Sequence, residues 1–216
     1  MSRTVTAQET FWSGPFGDQY LHRNQDAQLL ASNFHLFSNI LAHTHGIRSI
    51  MEFGANIGMN LVPLQRLLPE VALSALEINQ NAVDQLHSLK AKQLPELQIY
   101  HSAIQDFSPT TPYDLVFTKG VLIHIAPESL ANVYQRLYQS CHRYLLVAEY
   151  YNPTPVNIPY RGHQDRLFKR DFAGELLDQF SDLRLIAYDF AYHRDPHFPQ
   201  DDISWFLLSK QGASTC

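Results

Sequence analysis

The chain is poor in cysteine, in charge and in long apolar runs. Two cysteines in 216 residues, Cys141 and Cys216, make no disulfide framework and fit a reducing cytoplasm. No apolar run approaches the length of a membrane span, and the N-terminus has no charged-then-apolar signal pattern. The 16 basic residues are outnumbered by 21 acidic ones, giving a net charge of -5. There is no basic run of the kind nucleic-acid binding leaves in a sequence. His43-x-His45 has a metal-like spacing but no Cys or acidic ligand beside it, so no metal is expected. Internal repeats and a clear domain boundary are also missing. These absences leave a cytoplasmic protein with a small-molecule partner, bound to neither membrane nor nucleic acid, of unspecified oligomeric state.

What is present is a globular composition, 45% hydrophobic and 17% charged, in one domain or one domain with an extension. The chain is organised around Ser49-Ile50-Met51-Glu52-Phe53-Gly54-Ala55-Asn56-Ile57-Gly58. It reads as a buried strand, a tight G-x-N-x-G turn and the start of a helix. Glycine lets backbone approach a ligand, and a helix N-terminus offers free N–H groups. Before it, residues 1–10 are polar and read as frayed. Residues 11–24 are dense in aromatics and turn formers, and read either as an aromatic plug over one end of the core or as a lid over the glycine turn. The apolar spacing over 26–43 marks an amphipathic helix.

Beyond the turn, apolar strands at 71–78, 97–100, 113–118 and 144–149 alternate with helical stretches, which implies right-handed βαβ units. Residues 150–163 carry three prolines and no periodicity, and read as an irregular functional loop. A helix over 168–180 follows, then strands at 183–192 and 203–210. The fold class is α/β: a Rossmann-like seven-stranded sheet, mostly parallel with an antiparallel last strand, and helices on both faces. Residues 1–46 form the N-terminal lid segment and helix, and 47–216 one compact unit.

Glu77 ends the second strand 19 residues beyond Gly58, where a carboxylate can accept hydrogen bonds from ribose hydroxyls. Nicotinamide dinucleotides use G-x-G-x-x-G, and here no glycine follows the second by three. A cofactor with a ribose and an amino-acid tail but no pyrophosphate, S-adenosylmethionine, fits better.

Glu52 to Gly58 resembles the first motif of class I S-adenosylmethionine-dependent methyltransferases, and Leu76-Glu77-Ile78 their second. Tyr113 to Phe117 with Val121 to Ile125 is similar to their fourth-strand region. The pattern departs at Asn56, where many members have glycine, and at Ser102, where many have an acid. Phe11 to Tyr20 with Arg23-Asn24, and Glu149-Tyr150-Tyr151 through Tyr160-Arg161-Gly162-His163 and Phe168 to Ala173, resemble the methylases associated with pseudaminic acid biosynthesis. The resemblance implies methyl transfer to a small, anionic, sugar-related metabolite. The alternatives are an amino-acid-like or natural-product acceptor, or a non-catalytic cofactor binder. It places Trp12, Tyr20, Arg23, Gly54, Asn56, Gly58, Glu77, Ile78, Ser102, Ala103, Ile104 and Lys119 at the cofactor. His124, Tyr150 and His163 are catalytic candidates, and Tyr151, Tyr160 and Arg161 acceptor-binding candidates.

Overall fold

The computed structural model describes residues 3–21 and 27–212. Its centre is a seven-stranded sheet in the order β3-β2-β1-β4-β5-β9-β8. The strands are β1 (Ser49–Phe53), β2 (Ala72–Glu77), β3 (Gln98–His101), β4 (Tyr113–Lys119), β5 (Cys141–Glu149), β8 (Leu183–Ala191) and β9 (Ile203–Lys210). The first five pair in parallel, while β9 runs antiparallel to both β5 and β8.

Helices cover both faces. On one, α3 (Ala27–Leu41), α4 (Leu61–Leu67) and α5 (Gln80–Lys92) pack Phe37, Ile40, Leu64 and Leu86 with Ile50, Leu73 and Phe117. On the other, α6 (Leu130–Ser140) and α7 (Phe172–Gln179) pack Val133, Leu137 and Leu176 with Met51, Val116 and Leu145. Strands covered on both faces need apolar residues at every position. That is why β1 and β4 are mostly apolar, broken at Glu52 and Thr118, with Ile50, Met51, Phe53, Val116 and Phe117 wholly inaccessible.

Three stretches differ from the sequence reading. The first lies within residues 1–10, read as frayed: from residue 3 on the segment is structured, and α1 (Ala7–Ser13) begins there. Its N-cap Thr6 accepts from the Glu9 amide while Glu9 reaches back to the Thr6 amide, the reciprocal pattern of a capping box. Arg3 adds an ion pair to Glu9 and another to Asp106 at 2.7 Å, so the segment is tied to the main unit. A second short helix, α2 (Pro15–Tyr20), follows with proline in its first turn.

The second stretch is 150–163, read as a loop. It contains β6 (Val156–Tyr160), which pairs antiparallel with β7 (His163–Lys169). Arg161 and Gly162 connect them with φ of 53° and 83°, the two left-handed residues a tight hairpin turn demands. Prolines 155 and 159 hid the strand; a two-stranded ribbon is all edge, where proline is tolerated. In the third, residues 168–171 are not helical, and α7 starts only at Phe172 with Asp171 capping the Gly174 amide.

Candidate active site

The strand order reverses between β1 and β4, and ligands of open α/β sheets settle beyond the carboxyl ends of the strands at such a point. A cavity of about 240 Å³ lies there. Its floor is the glycine turn, the ends of β2 and β4, and the segment after β3. Its roof is α1 and α2, and Tyr150, Tyr160 and Asp201 close the far side.

The turn is shaped by left-handed backbone. Gly54, Asn56 and Gly58 have φ of 77°, 48° and 84°. A Cβ on Gly54 would sit 2.6 Å from Val121 Cγ2. Gly58 serves differently from the expectation. It lies outside the cavity lining, and a Cβ there would meet Leu89 Cδ2 at 2.5 Å. Its smallness lets α5 pack on the turn, so we reassign it from cofactor contact to helix packing.

Glu77 is the hub of the floor. Its Oε2 accepts from the Asn56 amide at 2.8 Å, and its Oε1 from the Ile78 and Asn79 amides at 2.8 and 2.9 Å. Burial pushes its carboxyl above the usual range, against these donors. Asn79 caps α5 through the Ala82 amide. Its Nδ2 donates to the Trp12 carbonyl at 3.1 Å and to Asp18 Oδ1 at 2.9 Å. The helix cap of the main unit therefore also latches the roof.

Beneath the turn, Glu52 accepts from Asn60 Nδ2 at 2.6 Å. Burial raises its carboxyl to about 8. Burial likewise lowers the Lys119 ammonium, opposed by Glu52, Asp201 and Glu149. Glu149 accepts from the Val121 and Leu122 amides at 3.0 and 3.1 Å, fixing the chain after β4, and its carboxyl rises to about 7 through burial.

Four buried polar atoms around this floor and roof have no partner: Glu52 Oε2, Asn56 Oδ1, Asn60 Oδ1 and Trp12 Nε1. Two amide oxygens, the oxygen of a carboxyl that is protonated near pH 7 and an indole N–H, all unsatisfied out of water, cost free energy unless a ligand completes them. The amide oxygens of Asn56 and Asn60 suit an ammonium, and the Glu77 carboxylate lines the cavity beside them. The donor set fits S-adenosylmethionine.

His124 is buried beside Trp12 and Tyr160, with ring centroids 4.5 and 5.0 Å away. Its Nδ1 meets the Arg166 carbonyl at 2.7 Å. A carbonyl only accepts, so Nδ1 carries the proton and Nε2 the lone pair. Burial pulls its pKa down to about 4, so the ring is neutral near pH 7. Tyr150 is a neutral phenol, its pKa raised by burial.

The cavity thus gathers Trp12, Tyr20, Gly54, Asn56, Glu77, Ile78, Ser102, Ala103, Ile104, Lys119, His124, Tyr150 and Tyr160. Arg23 lies outside the described residues. Besides Gly58, three candidates are not part of the lining. Tyr151 is exposed, with its ring 5.8 Å from Phe206 on the outer side, because neighbours on an extended chain point to opposite sides. His163 packs outside the roof against Phe11 and Phe16 at 5.0 and 5.6 Å. Arg161 is exposed in the hairpin turn, its guanidinium 5.4 Å over the Tyr160 ring. Asp106, a substitute for the acid expected at Ser102, is taken by Arg3. Glu9, Asn60 and Asp201 escape the sequence reading, which takes Asn79 only as a helix N-cap. Of the three, only Glu9 carries a signal, the Thr6-x-x-Glu9 capping-box spacing.

No family model matches the chain. One relative, the tRNA1(Val) (adenine(37)-N6)-methyltransferase of Pseudoalteromonas translucida (strain TAC 125), is 25% identical over 76 residues, 35% of this chain and 33% of that protein. The chain therefore spans about a third of that relative's length. Among solved structures, 1,6-didemethyltoxoflavin-N1-methyltransferase of Burkholderia thailandensis, with bound S-adenosylhomocysteine, has a TM-score of 0.71 and 10% identity. That match covers 97% of this chain and 93% of that one. Magnesium protoporphyrin IX methyltransferase of Synechocystis PCC 6803, with bound S-adenosylmethionine, gives 0.65, 12%, 97% and 100%. The mitomycin 7-O-methyltransferase MmcR gives 0.67 and 12%, over 95% of this chain and 61% of that one. The fold is the Rossmann-like fold of S-adenosylmethionine-dependent methyltransferases. Among the described residues no helix is long and apolar enough to cross a membrane.

Proposed function

We propose that the chain is an S-adenosylmethionine-dependent methyltransferase acting on a small, anionic, sugar-related acceptor. One observation carries the cofactor: two unpartnered buried acceptors, Asn56 Oδ1 and Asn60 Oδ1, with the unpartnered Glu52 Oε2 beneath them, beside a glycine turn whose amide is held by Glu77. The turn and these acceptors take the amino-acid tail, Glu77 the ribose, and Ile78, Ser102, Ala103 and Ile104 the adenine. When bound, the cofactor supplies a methyl group already activated by its sulfonium.

The chain's own task is to orient the acceptor and exclude water. The roof and hairpin do the second, with Phe11, Phe16, Tyr160 and His163 interleaved. His124 Nε2 offers a lone pair in the cavity, and with a pKa near 4 it is suited to receive a proton from a nucleophile made acidic by methylation, not from a resting hydroxyl. The anionic acceptor is supported by two cations stacked on the lining tyrosines: Arg161 over Tyr160, and Lys169 5.0 Å over Tyr150. The resemblance of the flanking segments to pseudaminic-acid-associated methylases supports the sugar. A net charge of -5 and a roofed cavity speak against a nucleic-acid acceptor, although the matched relative is a tRNA methyltransferase.

Calorimetry with S-adenosylhomocysteine tests the cofactor: stoichiometric binding is expected, and no binding by folded protein overturns the reading. Transfer of labelled methyl to a sugar-acid panel then tests the acceptor. Normal cofactor affinity without transfer to any member would favour the non-catalytic binder.

A further inference from the structure

β8 is one of the two outer strands of the seven, paired only with β9. An edge strand presents unpaired N–H and C=O groups, and soluble proteins usually blunt such edges with charge and little apolar area. Here Leu185, Ile186, Tyr188, Phe190 and Tyr192 are all exposed, Tyr188 at 67% and Phe190 at 52%. They form the densest exposed apolar stretch among the described residues.

The register sorts their sides. Leu185 lies opposite Leu208, Tyr188 opposite Phe206 and Phe190 opposite Ser204, with a bulge between Leu185 and Ala187. Directly opposed residues share a face, so Leu185, Tyr188 and Phe190 lie on one face of the sheet. Arg184 and Asp189, opposite Ser209 and Trp205, lie on the other. On the apolar face, Leu183 packs beneath α7 with Leu176 and Phe180, but Tyr188 and Phe190 stay open to solvent, the Tyr188 ring 6.1 Å from Phe206.

We propose that this edge is a two-fold interface joining two copies of the chain through antiparallel β8–β8 pairing. One register satisfies both faces. It sets Arg184 across from Asp189 of the second copy, twice per dimer as two-fold symmetry requires. The same register sets Leu185 across from Tyr188 and Leu183 across from Phe190, apolar on apolar. Ile186, the bulged residue, meets Ala187 at the axis. Arg184 is already held at the edge, with Nη1 donating to the Ser181 carbonyl at 2.6 Å.

The area suffices. At about 150–250 Å² for a whole aromatic side chain, the exposed parts of these five residues amount to about 450 Å² per copy. Counting backbone, Arg184 and Asp189, the pair reaches about 1,200 Å², the lower end of specific interfaces. An interface of this size belongs to the weak end, where a micromolar Kd is the expectation to be tested.

Sedimentation equilibrium on the full chain tests this, up to about 100 μM, well above a micromolar Kd. A two-copy mass is expected. Tyr188→Glu with Phe190→Glu should give a monomer with unchanged circular dichroism and unchanged S-adenosylhomocysteine affinity. Arg184→Glu should weaken association at least tenfold, and adding Asp189→Arg should restore it. A monomer over the whole range overturns the proposal, as does a dimer unmoved by the double-glutamate variant. Failure of the charge swap to restore association overturns this register.

Discussion

The two walls of the cavity are built by different means. The floor is backbone: left-handed turn residues, strand ends and amides held by Glu77 and Glu149. The roof and hairpin are side chains, the rings of Phe11, Trp12, Phe16, Tyr160 and His163, with Phe11 stacked on Phe16 and the other contacts edge to face. A floor of backbone tolerates little change, because each amide has one position. A roof of rings can repack. Floor changes should therefore cost stability and cofactor affinity together, whereas roof and rim changes should act on ligand handling while the fold survives.

The largest break in that comparison is Gly58→Ala. A left-handed alanine and its collision with Leu89 should together cost about 2–4 kcal/mol, and thermal unfolding would show a fall of roughly 5–15 °C. An unchanged midpoint would mean that α5 does not need to pack this closely on the turn.

Glu77→Gln comes next. The amide keeps the shape, but its NH₂ group must face N–H donors that the carboxylate satisfied, at Asn56 or at Ile78 and Asn79. A lost charged hydrogen bond is worth about 1.5–3 kcal/mol. The Kd for S-adenosylhomocysteine should rise roughly tenfold to a hundredfold, measured by calorimetry.

How much of this was legible in sequence follows the same division. The floor was readable because turns and strand ends have local rules: G-x-N-x-G, an acid at a strand end, Asn79 as a helix cap. The antiparallel hairpin of β8 and β9 announced itself by a short gap. The roof was only half readable. Its aromatics were visible, but packing across 150 residues, such as Phe11 on His163, has no local signature. In the hairpin of β6 and β7, prolines masked period-2 order, and Arg161 is an unusual residue for a left-handed turn position. Gly58 looked like a ligand glycine because spacing cannot distinguish a ligand from the side chain of Leu89.

Glu52 gives a smaller, pH-dependent effect. In the unfolded chain its carboxyl titrates near 4.5, and in the fold near 8. The folded protein holds a proton over that window that the unfolded chain has released. Its contribution to stability is therefore full below about 4.5 and lost as pH rises through about 8. Glu52→Gln should flatten this part of a stability–pH curve. Cofactor binding places a cation near the unpartnered Oε2 and should expel the proton at pH 7. The calorimetric enthalpy should then vary with the buffer's ionisation enthalpy in the wild type and not in the variant. Equal buffer dependence in both would detach Glu52 from the cofactor tail.

The smallest effect lies in two adjacent residues. Tyr150 lines the cavity, half-buried, with Lys169 stacked on its ring. Tyr151 points to the opposite side, exposed, where its backbone bridges Arg170. Extended chain alternates sides, so one step of sequence separates a cavity wall from the outer surface. Tyr150→Ala opens the wall between cavity and solvent and should weaken ligand handling at least tenfold, with the fold retained. Tyr151→Ala removes only exposed ring area and should leave both S-adenosylhomocysteine affinity and methyl transfer within twofold of wild type. Measured side by side, the pair asks whether strand geometry alone decides which tyrosine the site uses. Equal losses in both variants would show that the outer face supports the cavity through Phe206, and the division between a rigid floor and an adaptable rim would have to be redrawn there.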